Sequence, residues 1–153
     1  MSSIAYDDLV VGARFEGPGR TITETDLSLS CMLTGDWHPI HADAEFAKKT
    51  PIGQRMLHGP FGILLVMGMA THLPEFADEV IAATGIQEWR YHAPIVVGDT
   101  LHTETEIVAK RITSDGRRAI IDRRFKLVNH QGKVIQDGLA GAMIRLGAAG
   151  TRS

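Results

Sequence analysis

The second half of the chain consists largely of stretches in which apolar and polar residues alternate, as they do in half-buried strands. These stretches cover residues 87–93, 99–112, 118–128 and 134–146. Turn-forming sequences separate the last three stretches, at Ser114-Asp115-Gly116 and at Asn129-His130-Gln131-Gly132. Long strands joined by short turns predict an antiparallel meander, whose apolar face needs a partner.

A nearly continuous apolar run at residues 56–70 can supply that partner, with His58 as its one polar side chain. Proline suits the first turn of a helix, so Gly59-Pro60 predicts a helix over residues 59–72. The run is shorter than the roughly 18 apolar residues that a bilayer span requires. We therefore expect a helix buried on most sides, which Gly62 and Gly68 allow to lie close to the sheet.

A shorter helix is predicted over residues 24–33. Thr21 and Thr23 are each followed by an acidic residue three positions on, which is the capping-box pattern, and Gly35 ends the helix. Residues 36–51 contain two prolines and indicate an irregular connection. The elements together predict one α+β domain over residues 4–146, in which a long central helix is wrapped by a curved antiparallel sheet. Residues 1–3 and 147–153 are expected to be loose ends.

Composition narrows the function classes. The chain has 153 residues, with 16 Lys plus Arg against 18 Asp plus Glu and a formal charge of -2, so nucleic acid and anionic membrane are not expected partners. The single Cys31 can form no internal disulfide and is predicted to be a buried thiol. The first residues lack the layout of a signal peptide, so a reducing cytoplasm is expected. The arginines of the predicted strands and turns are expected to be solvated; they are Arg111, Arg117, Arg118, Arg123 and Arg124.

A dense polar cluster at residues 36–43 carries the candidate chemistry. It places two Asp and two His within eight positions, and His58-Gly59 follows at the expected start of the central helix. Free N–H groups at a helix start stabilise a developing negative oxygen. A carboxylate, an imidazole and such a helix start are what proton transfer beside a carbonyl requires. The alternative is structural, with Asp36 capping a turn and the histidines solvated or packed.

The residues of this cluster resemble a known family. Asp36-Trp37-His38-Pro39-Ile40-His41-Ala42-Asp43, followed by Phe46-Ala47 and Leu57-His58-Gly59, is similar to the hydratase motif of the MaoC-like dehydratases, the (R)-specific enoyl-CoA hydratases with a hotdog fold. The segment at residues 89–101 also resembles that family. The resemblance spans most of residues 6–146, although His38 stands where the family usually has Asn, and Pro60 where many members have Met.

The resemblance implies an acyl-CoA hydratase or dehydratase acting on a 2-enoyl thioester. Asp36 and His41 would activate one water, and the backbone N–H of Gly59 would donate to the thioester oxygen. The neighbouring residues expected to bind substrate are His38, Pro39, His58 and Pro60. No cofactor beyond the coenzyme A of the substrate is implied. The expected partners are an acyl-CoA thioester and a second copy of the chain, in a homodimer or a dimer of dimers.

Other functions stay open at this point. A hotdog thioesterase would direct water at the carbonyl carbon, and a non-catalytic dimer subunit would only bind acyl-CoA. A metal site is a further alternative, because His38 and His41 are three residues apart and Asp43 or His58 could add ligands. We favour a water-activating Asp36–His41 pair, because it explains the same residues without a metal ion. We therefore predict no metal ligands.

Overall fold

The computed structural model describes residues 6–71 and 80–146 and confirms the predicted α+β architecture. The helical elements are a 3-10 turn at Tyr6–Asp8, α1 at Glu24–Thr34, α2 at Pro39–Ala42, α3 at Ala44–Ala47 and α4 at Phe61–Ala70. The strands are β1 at Arg14–Glu16, β2 at Arg20–Thr21, β3 at Val80–Tyr91, β4 at Thr100–Ile112, β5 at Arg118–Asn129 and β6 at Val134–Arg145. The predicted loose ends, 1–3 and 147–153, lie outside the described residues.

The strands form one antiparallel sheet in the order β1-β4-β5-β6-β3, and β2 also pairs with β4. Both predicted turns are confirmed between β4, β5 and β6. Gly116 and Gly132 close them with φ angles of 68° and 76°, a region that glycine enters without strain. The residues 36–51 that we expected to be irregular contain the single turns α2 and α3. Short polar segments with prolines conceal such turns from a pattern-based prediction.

The core lies between α4 and the apolar face of the sheet. Leu65, Val66 and Met69 of α4 are buried in one cluster with Phe125 and Leu127 of β5. The expectation that this helix is buried on most sides is confirmed, because the residues of α4 are buried or half-buried apart from Leu64 and Gly68. Leu64 is 61% exposed.

The two glycines of α4 have different surroundings. At Gly62 an added Cβ would overlap the amide group of Gln136, whereas at Gly68 it would meet nothing within 4 Å. The predicted close approach to the sheet is therefore confirmed at Gly62 and wrong at Gly68. Gln136 is 1% exposed, and its amide is held by the indole N–H of Trp89 and by the Gly59 carbonyl oxygen, each at 3.0 Å.

The Gly62→Ala substitution should lower the free energy of unfolding by about 1–3 kcal/mol, because the new methyl group displaces a buried amide that cannot move freely. Gly68→Ala is the matched control and should leave stability unchanged or raise it by up to about 1 kcal/mol, since alanine favours the helix. Urea unfolding of both variants measures the difference. Equal effects at the two positions would contradict the close packing at Gly62.

The strand β3 begins earlier than its predicted start at residue 87. Its first half is apolar and β-branched, but Gly85 interrupts the pattern. The pairing with β6 absorbs this interruption through register shifts between Ala83 and Gly85 and between Gln87 and Arg90. The strand lies at the edge of the sheet, and all its residues are exposed apart from the half-buried Trp89.

Arg123 also differs from its expectation. We predicted a solvated side chain, but Arg123 is 8% exposed on the inner face of β5. Its guanidinium carbon lies 4.7 Å from the centroid of the Phe125 ring, a cation–π contact. Every second residue of β5 from 119 to 125 faces inward, and Arg123 is one of these residues.

The predicted capping box at the start of α1 is confirmed. The Thr23 side chain accepts from the N–H of Asp26, whose carboxylate accepts from the Thr23 N–H and hydroxyl and pairs with Arg20. Burial by itself raises the pKa of Asp26. The hydrogen bonds from Thr23 and the charge of Arg20 outweigh burial and hold the pKa below its usual 3.8.

The Asp26→Asn substitution should therefore reduce stability in a pH-dependent way. Because the folded pKa lies below the unfolded one, the stabilising effect is complete above about pH 4 and disappears as the pH falls through the folded pKa. We expect a loss of about 1–3 kcal/mol at neutral pH that shrinks in acid. Urea unfolding at neutral pH and in acid measures this loss of stability. Asp7→Asn, at an exposed carboxylate, is the control. A loss that is the same at both pH values would contradict the ionised role of Asp26.

Candidate active site

Asp36 is presented by the end of α1. Gly35 ends that helix in the left-handed region, with φ 72°, and its N–H donates to the carbonyl oxygen of Cys31. The chain turns there, and Oδ1 of Asp36 accepts a hydrogen bond of 3.0 Å from the N–H of His38. The carboxylate is half exposed, so it is both oriented by the backbone and open to solvent.

His41 lies on α2 and is 9% exposed. Pro39 is the first residue of this turn, and His38 caps it by accepting from the N–H of Ile40 at 3.2 Å. The Nδ1 atom of His41 is 2.6 Å from the carbonyl oxygen of Met56, which can only accept, so Nδ1 carries the proton. The Nε2 atom is therefore free to accept, and it lies 3.9 Å from Oδ2 of Asp36.

His58 completes the cluster from the segment before α4. Its ring stacks on that of His41 at 3.7 Å between centroids, with 28° between the ring planes. Its Nε2 atom lies 3.0 Å from the backbone oxygen of Asp36 and 3.3 Å from Oδ2 of the same residue. The structure thus brings Asp36, His41 and His58 together and places His58, at 6% exposure, behind the carboxylate.

The electrostatic environment favours the ionised form of Asp36. The hydrogen bond from the His38 N–H has the largest effect in lowering the pKa of Asp36, and the nearby rings of His58, His41 and His38 lower it further when they are protonated. A carboxylate with a lowered pKa carries its negative charge throughout the neutral pH range. Asp36 can therefore accept a proton or a hydrogen bond from a molecule beside it.

Gly59 and Pro60 form the turn that leads into α4, which begins at Phe61, two residues after the expected start. Among the residues that the structure describes, no protein acceptor receives the Gly59 N–H. Beside Gly59 lies a recess of about 330 Å³. The residues lining this recess include Ile52, Met56, Leu57, Tyr91, Pro94 and Ile95. Gly59, whose N–H has no such acceptor, thus lines a largely apolar recess at the start of the central helix.

His38 and Pro39 lie at the rim of the cluster, where His38 makes edge contacts with His41 and Phe46. The metal hypothesis can be tested on this geometry. Ligand atoms of Asp36, His41 and His58 lie within 4.8 Å of one another. Nε2 of His58 donates to the backbone oxygen of Asp36, so in this hydrogen-bonded arrangement that atom has no lone pair for a metal ion.

The other two proposed metal ligands are engaged elsewhere. Nδ1 of His38 serves as the cap of α2, and Oδ1 of Asp43 accepts from the N–H groups of Glu45 and Phe46 at the start of α3. The arrangement of these side chains therefore favours a proton-transfer site over a metal centre.

Sequence reasoning missed Ser30. This residue of α1 is fully buried, and its hydroxyl lies 3.0 Å from Nδ1 of His58. A polar residue between Leu27 and Cys31 on the apolar face of α1 was the available signal, but its partner is 28 positions away along the chain. Cys31 itself is buried, as predicted.

Known structures define the class. The chain superposes on the (R)-hydratase PhaJ1 of Pseudomonas aeruginosa with a TM-score of 0.69 and 28% identity, covering 99% of this chain and 95% of that one. It also superposes on a Mycobacterium tuberculosis protein described as a double hotdog fold, with a TM-score of 0.82 and 22% identity, over 99% of this chain and 47% of that one. The domain is therefore a hotdog fold. Among the described residues, no helix has the length and apolar character needed to cross a bilayer.

The sequence places the chain within this class. The family model "MaoC like domain" matches residues 9–124, and the chain belongs to this family of MaoC-like dehydratases. A relative from Methylorubrum extorquens, named 3-hydroxybutyryl-CoA dehydratase, is 30% identical over 115 residues, which make up 74% of this chain and 69% of the relative. Matches to three further curated relatives span only 33–36% of their length.

Proposed function

We propose that this protein is an enoyl-CoA hydratase, or 3-hydroxyacyl-CoA dehydratase in the reverse direction, in which Asp36 and His41 act together on one water. The observation that carries the proposal is the 3.9 Å separation of Asp36 Oδ2 and His41 Nε2. This distance is too long for a direct hydrogen bond but suits two acceptors that hold the same water molecule. Each side chain is fixed by a backbone partner, so the pair is ordered before substrate binds.

In the proposed hydration, the water oxygen forms a bond to the β-carbon of the 2-enoyl thioester. The water gives up a proton to the Asp36–His41 pair, and the pair delivers a proton to the α-carbon. Between these two steps, negative charge develops on the thioester oxygen. The Gly59 N–H would donate a hydrogen bond to that oxygen. The thioester bond stays intact, and no redox change or added cofactor is needed.

The recess beside Gly59 supports the acyl assignment. Its apolar lining suits the hydrocarbon part of a thioester, while Gly59 stands at its edge to meet the carbonyl oxygen. His38, Pro39 and Pro60, which are not among the residues that line the recess, are proposed to contact the substrate outside it.

A steady-state assay with crotonyl-CoA tests the proposal. The expected result is a loss of the ultraviolet absorbance of the conjugated double bond without release of free thiol to DTNB, and with formation of one 3-hydroxyacyl-CoA enantiomer. Thiol release would show a thioesterase instead. Tight acyl-CoA binding without turnover, across a panel of enoyl thioesters, would show a binding subunit.

We also propose that the protein forms a homodimer through β3. This 12-residue edge strand is exposed on both faces and includes Val80, Ile81, Ile86 and Tyr91, each 47–52% exposed. An exposed apolar edge of this length favours pairing with another strand. Light scattering should give the mass of two chains or a multiple of it, and a monomer at micromolar concentration would contradict the proposal.

A further inference from the structure

A buried polar contact joins α1 to the segment before α4, beneath the Asp36–His41 pair. It consists of the Ser30 hydroxyl and Nδ1 of His58, which lie 3.0 Å apart. Ser30 is fully buried and His58 is 6% exposed. Buried polar groups cost stability unless they are hydrogen-bonded, so Nδ1 of His58 depends on the Ser30 hydroxyl.

The hydrogen-bond partners fix the tautomer of His58. The backbone oxygen of Asp36 can only accept, so Nε2 of His58 carries the proton that it receives. In the neutral ring, Nδ1 then has a lone pair and needs a donor. The Ser30 hydroxyl is the one side-chain donor within hydrogen-bond distance of that atom among the described residues.

The Ser30 hydroxyl also has an alternative acceptor. Its oxygen lies 2.8 Å from the carbonyl oxygen of Leu27, one turn earlier in α1. A hydroxyl has a single proton, so it donates either to Leu27 or to His58. In the neutral ring with its proton on Nε2, the hydroxyl donates to His58; when it donates to Leu27 instead, Nδ1 of His58 must carry a proton to use the Ser30 oxygen as its acceptor.

The consequence reaches the carboxylate of Asp36. The proton on Nε2 points at the backbone oxygen of Asp36, and Oδ2 of the same residue lies 3.3 Å from Nε2. The His58 ring also stacks on His41. Among the described residues, the Ser30 hydroxyl makes no hydrogen bond with the side chain of Asp36 or His41, so any effect on them passes through His58.

We propose that Ser30 is a positioning residue for the Asp36 carboxylate, acting through His58, whose ring it orients and whose Nε2-protonated tautomer it stabilises together with the backbone oxygen of Asp36. This inference rests on the proposed hydratase function and adds a residue that touches neither substrate nor the reacting atoms. Residues that fix the tautomer of an active-site histidine affect activity even when they do not contact the reacting atoms themselves.

The test is Ser30→Ala, compared with Ser28→Ala as a matched control on the exposed side of the same helix. Ser30→Ala should lower kcat for crotonyl-CoA roughly 10-fold with KM changed less than about 2-fold, since substrate contacts are untouched. Ser28→Ala should match the wild-type protein. Wild-type kcat in Ser30→Ala, or a loss confined to KM, would overturn the proposal.

A spectroscopic readout separates positioning from general damage. Nitrogen-15 NMR of the His58 ring should show the Nε2-protonated tautomer in the wild-type protein and a mixture in Ser30→Ala. An unchanged tautomer would overturn the proposal. If Ser30→Ala does not fold, Ser30→Cys, of nearly the same size and with a weaker donor, is measured in both assays. If the wild-type protein turns over no enoyl thioester, the proposed function fails, and the tautomer measurement still decides the link between Ser30 and His58.

Discussion

Replacing Asp36 with asparagine should lower kcat for enoyl-CoA hydration at least about 100-fold. The amide keeps the size of the carboxylate, and its oxygen can still accept from the His38 N–H, so the local backbone is retained. The amide has no negative charge and cannot take a proton from water, so the proposed general base is lost. KM should change much less, because the carboxylate is proposed to contact the water and not the acyl chain.

The measurement is a steady-state assay at neutral pH, where the lowered pKa of Asp36 keeps the wild-type carboxylate ionised. Asp8→Asn, at an exposed carboxylate in the N-terminal 3-10 turn, is the matched control and should show wild-type kcat. Full activity in Asp36→Asn would refute the catalytic role of this residue. A comparable loss in Asp8→Asn would point to a general effect of charge instead.

Replacing His41 with alanine should also lower kcat at least about 100-fold, because it removes the Nε2 atom that is proposed to share the water. It also removes the proton donor to the Met56 oxygen and the stacking partner of His58, so some stability is lost with it. His41→Gln separates the two effects, since a glutamine fills more of the space but is no proton-transfer base. Both variants should be inactive in the same assay, while the exposed His130→Ala control should retain wild-type kcat.

The double variant Asp36→Asn/His41→Ala gives a sharper result. Residues that act as one unit lose their function together, so the double variant should be little slower than either single variant. If the two losses instead multiply to about 10,000-fold, the residues act independently and the shared-water mechanism is wrong. For the same reason, a bell-shaped pH profile of kcat would report apparent pKa values of the pair and not of either residue alone.

The prediction from sequence was good where the determinants lie close together along the chain. The limits of α1 depend on Thr23, Asp26 and Gly35, which are all within or beside the helix. The strand alternation and the glycine turns gave β4, β5 and β6 to within one residue at each end. The spacing of Asp36 and His41, five positions apart, was informative because Pro39 and the His38 cap fix the turn between them.

The prediction failed where distant parts of the chain decide the outcome. The bulges of β3 depend on its pairing with β6. These bulges are not encoded by local periodicity. The burial of Arg123 follows from its inward position beside Phe125, although the charge alone suggested a solvated side chain.

The sequence by itself thus determined the capped helix, the meander and the close spacing of a carboxylate and an imidazole, because neighbouring residues specify these features. Only the tertiary structure decided that His58 stacks on His41 and that the Ser30 hydroxyl lies within hydrogen-bond distance of His58. That arrangement depends on hydrogen bonds from the N–H of Met56 to Ile40 and from the N–H of Leu57 to Ile95, which tie distant segments together. Bringing such segments into contact requires the whole core to form, so no local pattern can reveal it.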